Sequence, residues 1–172
     1  MATRDESTPT MPLIVVRVTA TARSVEEFVA RYARYFRDGE VVFVGGGAGM
    51  APILSLLRSM AERGIQRKAT FFYGARGERD LCFTEELRAI ADKLPGFTYI
   101  PALSDSAPPG WTGETGLITD VVKRRAGKLK GAHAYVCGPP PMVEAAGPLL
   151  ESLGVADKRI YFDKFTTTGE SQ

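Results

Sequence analysis

Hydrophobic positions along the chain follow two alternating rhythms. "VVFV" at 41–44 is a continuous apolar run, as expected of a strand buried on both faces. "KATFFYGAR", "FTYIPALS", "AHAYVCGPP" and "RIYFDKF" read as further strands, the first and third of these running into turns or loops. Between them, apolar residues recur at helical spacing in "PILSLLRSMAERG", "TEELRAIADKL", "LITDVVKRRAG" and "MVEAAGPLLESLG". The first helix is expected to end near Gly64, and Thr84 to be the N-cap of the second. "DSAPPGWTGETG" reads as turns. Strand–helix alternation of this kind predicts an α/β domain: a three-layer, Rossmann-like parallel sheet with helices on both faces. Ligands of such sheets bind beyond the carboxyl ends of the strands, where the strand order reverses.

Before Val41 the grammar is looser. Residues 1–12 carry Thr, Ser and two prolines and read as a disordered tail. "LIVVRVTATA" (13–22) predicts a strand. Ser24 and Glu27 have capping-box spacing ahead of the helical pattern "VEEFVARYARYF". Residues 13–40 therefore read as a strand-plus-helix extension of the sheet, with a docking element for a partner chain as the alternative. Residues 41–168 form the main domain and 169–172 a short tail.

Composition narrows the functional classes. The 172 residues suit one well-packed domain, with 44% hydrophobic and 24% charged residues. A net charge of +2 gives no warrant for nucleic-acid binding. No apolar run reaches the roughly 18 residues of a membrane span, and the polar start "MATRDESTPT" does not resemble a secretory signal. The chain reads as cytoplasmic, which is compatible with work in a membrane-associated complex. Cys82 and Cys137 are the only cysteines and His133 the only histidine. These are too few for an iron–sulfur cluster or a typical structural zinc, so no metal site is expected. Two reduced thiols fit this compartment, and His133 reads as a residue at a strand entrance.

The chemistry concentrates after the first buried strand. A strand running directly into a helix leaves the first helical N–H groups unpaired and aimed outward. With the helix dipole they make an anion site, and glycines let phosphate oxygens approach the backbone. "GGGAGMAP" supplies Gly45, Gly46, Gly47 and Gly49, with Pro52 at an early helical position that needs no N–H. It lacks the third glycine of G-x-G-x-x-G and the G-K-[ST] ending of a P-loop, so nucleoside triphosphate hydrolysis is not expected. A turn that binds nothing is the alternative.

"YGAR", "LSD…WTGETG", "CGPPPM" and "FDKF" follow the glycine loop in that order. With these motifs the chain, over about residues 40–168, resembles the NAD(P)-binding domain of the ferredoxin–NADP reductase superfamily. It is most similar to reductase components of bacterial multicomponent mono- and dioxygenases, such as those of phenol, toluene and methane monooxygenases. The NADH-oxidising subunit of the sodium-translocating quinone reductase is similar too. The resemblance implies a pyridine-nucleotide domain from which hydride passes to a flavin. Carried over by position, Gly45, Gly46, Gly47, Ala48, Gly49, Met50, Ala51 and Pro52 would hold the pyrophosphate. Gly74, Ala75 and Arg76 would lie near the adenosine ribose, with Ser104 and Asp105 also in the binding set. Cys137 and Gly138 would lie beside the nicotinamide, and Pro139, Pro140 and Met142 would shape the dinucleotide bed. Asp163 and Phe165 would face the flavin, so that Cys137, Asp163 and Phe165 form the catalytic set. Hydride transfer needs small residues at a dry contact more than acids or bases, and a compact, polarisable cysteine suits that place.

The family's flavin barrel precedes the glycine loop and carries an R-x-Y-[ST] motif that is absent here. The resemblance therefore implies FAD held by another domain or chain, and a ferredoxin or oxygenase component as the onward partner. For the nicotinamide cofactor, "YGARGERD" interleaves Arg76 and Arg79 with Glu78 and Asp80. The family leans to NADH, and NADPH stays open. The basic run "KRRAGKLK" (123–130) suits a helix C-terminus, with docking of an acidic redox partner as its rival. Two other functions stand beside the reductase: a non-catalytic nucleotide-binding or assembly module, and an oxidoreductase acting directly on a small substrate. The second lacks a Tyr-x-x-x-Lys or similar acid–base pair.

Overall fold

The run at 41–44 is apolar at every position because both of its faces are covered. In the computed structural model, which describes residues 39–164, it forms β1 (Val41–Gly46), all of it buried. β1 pairs in parallel with β2 (Ala69–Ala75) on one side and β5 (His133–Gly138) on the other. β3 (Phe97–Leu103), β4 (Glu114–Thr115) and β6 (Ile160–Lys164) complete an all-parallel sheet of order β4-β3-β2-β1-β5-β6.

Side chains alternate across this sheet and sort into two cores. Phe43, Phe71, Tyr73 and Tyr135 face α1 (Met50–Glu62) and α2 (Thr84–Lys93). Val42, Val44, Phe72 and Val136 face α3 (Ile118–Arg125) and α4 (Pro140–Ser152). The expected three-layer architecture is the observed one. From β1 the chain proceeds outward to β2, β3 and β4, then returns to place β5 on the other side of β1. The strand order reverses between β1 and β5, and their carboxyl ends open the crevice in which such folds bind ligands.

Several local expectations need correction. Thr84 is the first helical residue of α2, not its N-cap; that position is Phe83, in the left-handed region at φ 57°. The incoming loop sets this backbone turn, and Glu85 and Glu86 supply the negative charge that the first turn favours. α4 begins at Pro140 rather than Met142, since a proline fits the first helical position. The turn-rich 105–116 segment contributes the two-residue strand β4, paired with Ala102 and Leu103. Arg124 and Arg125, from the basic run, hold Glu114 of β4 at 2.8 and 3.4 Å. His133 opens β5, buried, with its ring parallel to that of Tyr161. The expectations for residues 1–38, including the strand at 13–22 and the Ser24–Glu27 capping box, lie outside the described residues, as do those for 165–172.

The join between α1 and β5 is steric. A Cβ on Gly49 would lie 2.4 Å from the Cys137 carbonyl oxygen and 2.7 Å from Gly138 Cα, both backbone atoms with little room to yield. We expect Gly49→Ala to cost about 2 kcal/mol, a fall in Tm of roughly 4–8 °C for a chain of this size. Thermal unfolding followed by circular dichroism checks this. A Tm within a degree of the parent contradicts the packing described.

Candidate functional site

β1 ends in Gly45 and Gly46 and passes through a 3-10 turn (Gly47–Gly49) into α1. No side chain fits at Gly45 or Gly46. A Cβ on Gly45 would meet the Phe71 ring at 2.8 Å, and one on Gly46 would meet Met142 Sδ at 2.7 Å. Gly47 differs: it is exposed, has φ +54°, and would meet nothing within 4 Å. Its outer face is open. Gly49 occupies the N-cap position without a side-chain cap, so the first N–H groups of α1 have no side-chain acceptor there. Pro52, at the third helical position, is buried, as is Met50, whereas Ala51 is exposed. The result is a row of backbone donors at a helix start, backed by the dipole and reachable from one side.

The opposite wall is the end of β5. Cys137 pairs in register with Gly45 across the sheet, and Asp163 of β6 pairs with Cys137. A Cβ on Gly138 would meet Met142 Cε at 2.6 Å, so Met142 fills the space that Gly46 and Gly138 leave. Pro139 is exposed and Pro140 half-buried at the start of α4. Cys137 exposes only 5% of its surface. Burial, and secondarily the nearby Asp163 charge, push its thiol well above the usual cysteine range. That shift favours the neutral thiol, so what the residue offers is shape. Burial also raises the Asp163 carboxyl, whose Oδ2 is buried without a hydrogen-bond partner among the described residues. Phe165 lies outside the described residues.

The third part of the edge is made by β2 and β3. Gly74 pairs with Gly46 of β1 and Ala102 of β3, and a Cβ there would meet Ile118 at 2.8 Å. Beyond it the loops lie side by side: Ser104 N–H donates to Ala75 O at 2.9 Å, and Asp105 N–H to Arg76 O at 3.0 Å. Arg76 and Asp105 approach only to 3.9 Å and are both exposed, so the guanidinium is loosely held. Asp80 accepts from Gly77 N–H at 3.0 Å and lies 3.9 Å from Arg79, whose side chain is 94% exposed. The structure thus brings residues 45–52, 74–76, 104–105, 137–142 and Asp163 to one carboxyl edge of the sheet.

Tyr73 belongs to this edge and does not follow from the glycine pattern. Its ring is fully buried, while its hydroxyl reaches Gly47 O at 3.2 Å and Asp80 O at 3.5 Å and accepts from Cys82 N–H at 3.3 Å. Burial pushes the phenol up to about 12. The available signal was a lone hydroxyl-bearing ring near the loop end of the apolar strand "ATFFYGA". Among the described residues there is no group of three or more metal-ligating side chains and no helix long and apolar enough to cross a membrane.

Comparison with known proteins agrees with this geometry. A family model described as "Oxidoreductase NAD-binding domain" matches residues 43–147. The reductase component of propane 2-monooxygenase from Rhodococcus jostii is 48% identical over 138 residues, covering 76% of this chain and 37% of that protein. In Neisseria meningitidis, one subunit of the Na(+)-translocating NADH-quinone reductase is 42% identical over 136 residues, covering 74% of this chain and 33% of that protein. Among solved structures, a cytochrome P450 reductase from Amycolatopsis superposes with a TM-score of 0.68 at 34% identity, over 76% of this chain and 39% of that one. The chain spans 33–39% of the length of these relatives. A strand-end glycine loop at the point of strand-order reversal, matched by a family model over most of the sheet, makes the chain a member of the oxidoreductase NAD-binding domain family.

Proposed function

We propose that this chain is the pyridine-nucleotide part of a flavin-dependent electron-transfer reductase. It positions NADH for hydride transfer to a flavin held by another domain or chain, from which electrons pass to an iron–sulfur centre or oxygenase component. The observation that carries this reading is the pairing of the open Gly47 loop with the Cys137–Gly138 wall across the β1–β5 crevice. The nucleotide-binding unit is taken as residues 41–168. The relatives' names support the direction: one is the reductase component of a monooxygenase, another a subunit of an NADH-quinone reductase.

The residues fit a dinucleotide. The uncapped start of α1 and the bare backbone of residues 45–49 receive the pyrophosphate. Residues 74–76 and 104–105 flank the adenosine. Cys137, Gly138 and Met142 form a close, uncharged wall for the nicotinamide, which when bound supplies a hydride. This wall excludes water and fixes ring position, and needs no proton donor. Asp163, beside Cys137, faces the flavin side with a carboxyl oxygen that has no hydrogen-bond partner among the described residues. NADH is preferred over NADPH because the family resemblance leans that way; Arg76 and Arg79, interleaved with Glu78 and Asp80, do not by themselves choose between the two.

Calorimetric titration with NADH, NADPH and FAD tests the reading. The chain is expected to bind NADH, to bind NADPH more weakly, and to hold no stoichiometric FAD. Gly47→Val should weaken NADH binding at least tenfold, about 1.4 kcal/mol, because a β-branched residue resists φ +54°. Stoichiometric FAD in the purified chain, or unchanged NADH affinity in a natively folded Gly47→Val, contradicts it.

Cys137→Ala separates reactivity from binding. Dinucleotide affinity should change little, because the pyrophosphate and adenosine contacts remain. With a flavin domain supplied as a second chain, stopped-flow flavin reduction should slow by one to two orders of magnitude, since small misplacements cost up to about a hundredfold. The parent rate should show no cysteine titration between about pH 6 and 9, where an unperturbed thiol would ionise. Equal rates in parent and variant would return Cys137 to a purely structural role.

A further inference from the structure

The pyrophosphate reading of the glycine loop leaves one matter open: what holds an exposed, glycine-rich turn in a binding shape. Gly47 has no side-chain neighbour within 4 Å of its Cβ position, and Gly46 and Gly49 contribute only backbone. Such a turn is costly to order, because glycine loses the most conformational freedom on being fixed. Among the described residues one side-chain group hydrogen-bonds it from beneath, the Tyr73 hydroxyl.

The geometry is specific. The Tyr73 ring stacks on Phe71 at 5.3 Å and 16°, so the ring packs in the core while the hydroxyl emerges under the loop. With one proton, that hydroxyl donates to Gly47 O at 3.2 Å in preference to Asp80 O at 3.5 Å, and it accepts from Cys82 N–H at 3.3 Å. Gly47 C=O and Ala48 N–H belong to one peptide plane, and all described peptides are trans. In a trans peptide the two groups point in opposite directions. Pulling the carbonyl inward therefore aims the Ala48 N–H outward, toward the open side of the loop. The same hydroxyl reaches the 76–82 loop, which carries Arg76 and Arg79 at the adenosine end.

We infer that Tyr73 is a positioning residue for the dinucleotide: its hydroxyl orients the Gly47–Ala48 peptide toward the pyrophosphate and ties that turn to the adenosine-side loop. This rests on the dinucleotide reading above. The phenol, pushed up to about 12 by burial, remains a donor throughout the neutral range. Its contacts lie at the long end of the hydrogen-bonding range, so the effect is moderate.

The test compares the full-length parent with Tyr73→Phe and with Ile90→Val, a change in the same core on α2 with comparable cost to stability. NADH affinity is measured by calorimetry, and the order of the Gly47 and Ala48 amides, without ligand, by NMR relaxation. Tyr73→Phe should bind NADH about five- to tenfold more weakly and lower the order parameters of these two amides. Ile90→Val should keep affinity within twofold of the parent and leave those order parameters unchanged at a similar Tm. Parent-like affinity and order in Tyr73→Phe would overturn the assignment, as would equal losses in Ile90→Val. A parent that binds no NADH would remove the dinucleotide reading as well, whereas a binding parent with an unaffected Tyr73→Phe removes this inference alone.

Discussion

At the carboxyl ends of β1 and β5 the backbone comes so close that side chains are excluded. Gly49 lies against the Cys137 carbonyl, and Gly46 and Gly138 share the space filled by Met142. This exclusion sets where α1 starts and how closely it lies against the end of β5. It also explains the glycine count without appeal to flexibility. At Gly45, Gly46 and Gly49 the missing atom is needed for room; only Gly47 uses glycine's freedom, through its positive φ. A loop built this way holds its donors in place before any ligand arrives.

The site has unequal halves. On the β1–β2–β3 side, hydrogen bonds between loops and the Tyr73 hydroxyl align polar groups that remain open to solvent. On the β5–β6 side the groups are more covered: a thiol at 5% exposure pushed up by burial, and a half-buried carboxyl, also raised by burial, with one oxygen lacking a hydrogen-bond partner among the described residues. Buried polar atoms without partners cost free energy, and such cost is commonly found where function requires it. In the proposed function this difference in solvation would separate a binding side from a reactive side.

Much of this was legible in the sequence, for reasons that can be named. A strand covered on both faces must be apolar at every position, so "VVFV" announced the centre of the sheet, and the helical spacing of α1 to α4 announced its covering layers. The motifs pointed to monooxygenase reductases and to the sodium-translocating quinone reductase, and relatives of both kinds match the chain. What escaped depends on contacts between distant segments. β4 is two residues long and exists only through Ala102 and Leu103. The N-cap of α2 is set by a loop geometry that places Phe83 at φ 57°, against the propensity of Thr84. Tyr73 entered only as the first residue of "YGAR", because nothing local shows that its hydroxyl meets a turn 26 residues away.

The central claim is that a dinucleotide lies across the β1–β5 crevice, with its pyrophosphate on residues 45–49. Backbone amide NMR shifts on titration with ADP-ribose test it directly, since that probe carries the pyrophosphate without the nicotinamide. The account predicts the largest shifts at Gly46, Gly47, Ala48 and Gly49, with smaller ones at Gly74, Arg76 and Gly138. Shifts confined to the polar cleft at the amino end of the sheet, around Lys68, Thr70, Arg124 and Arg125, would contradict it.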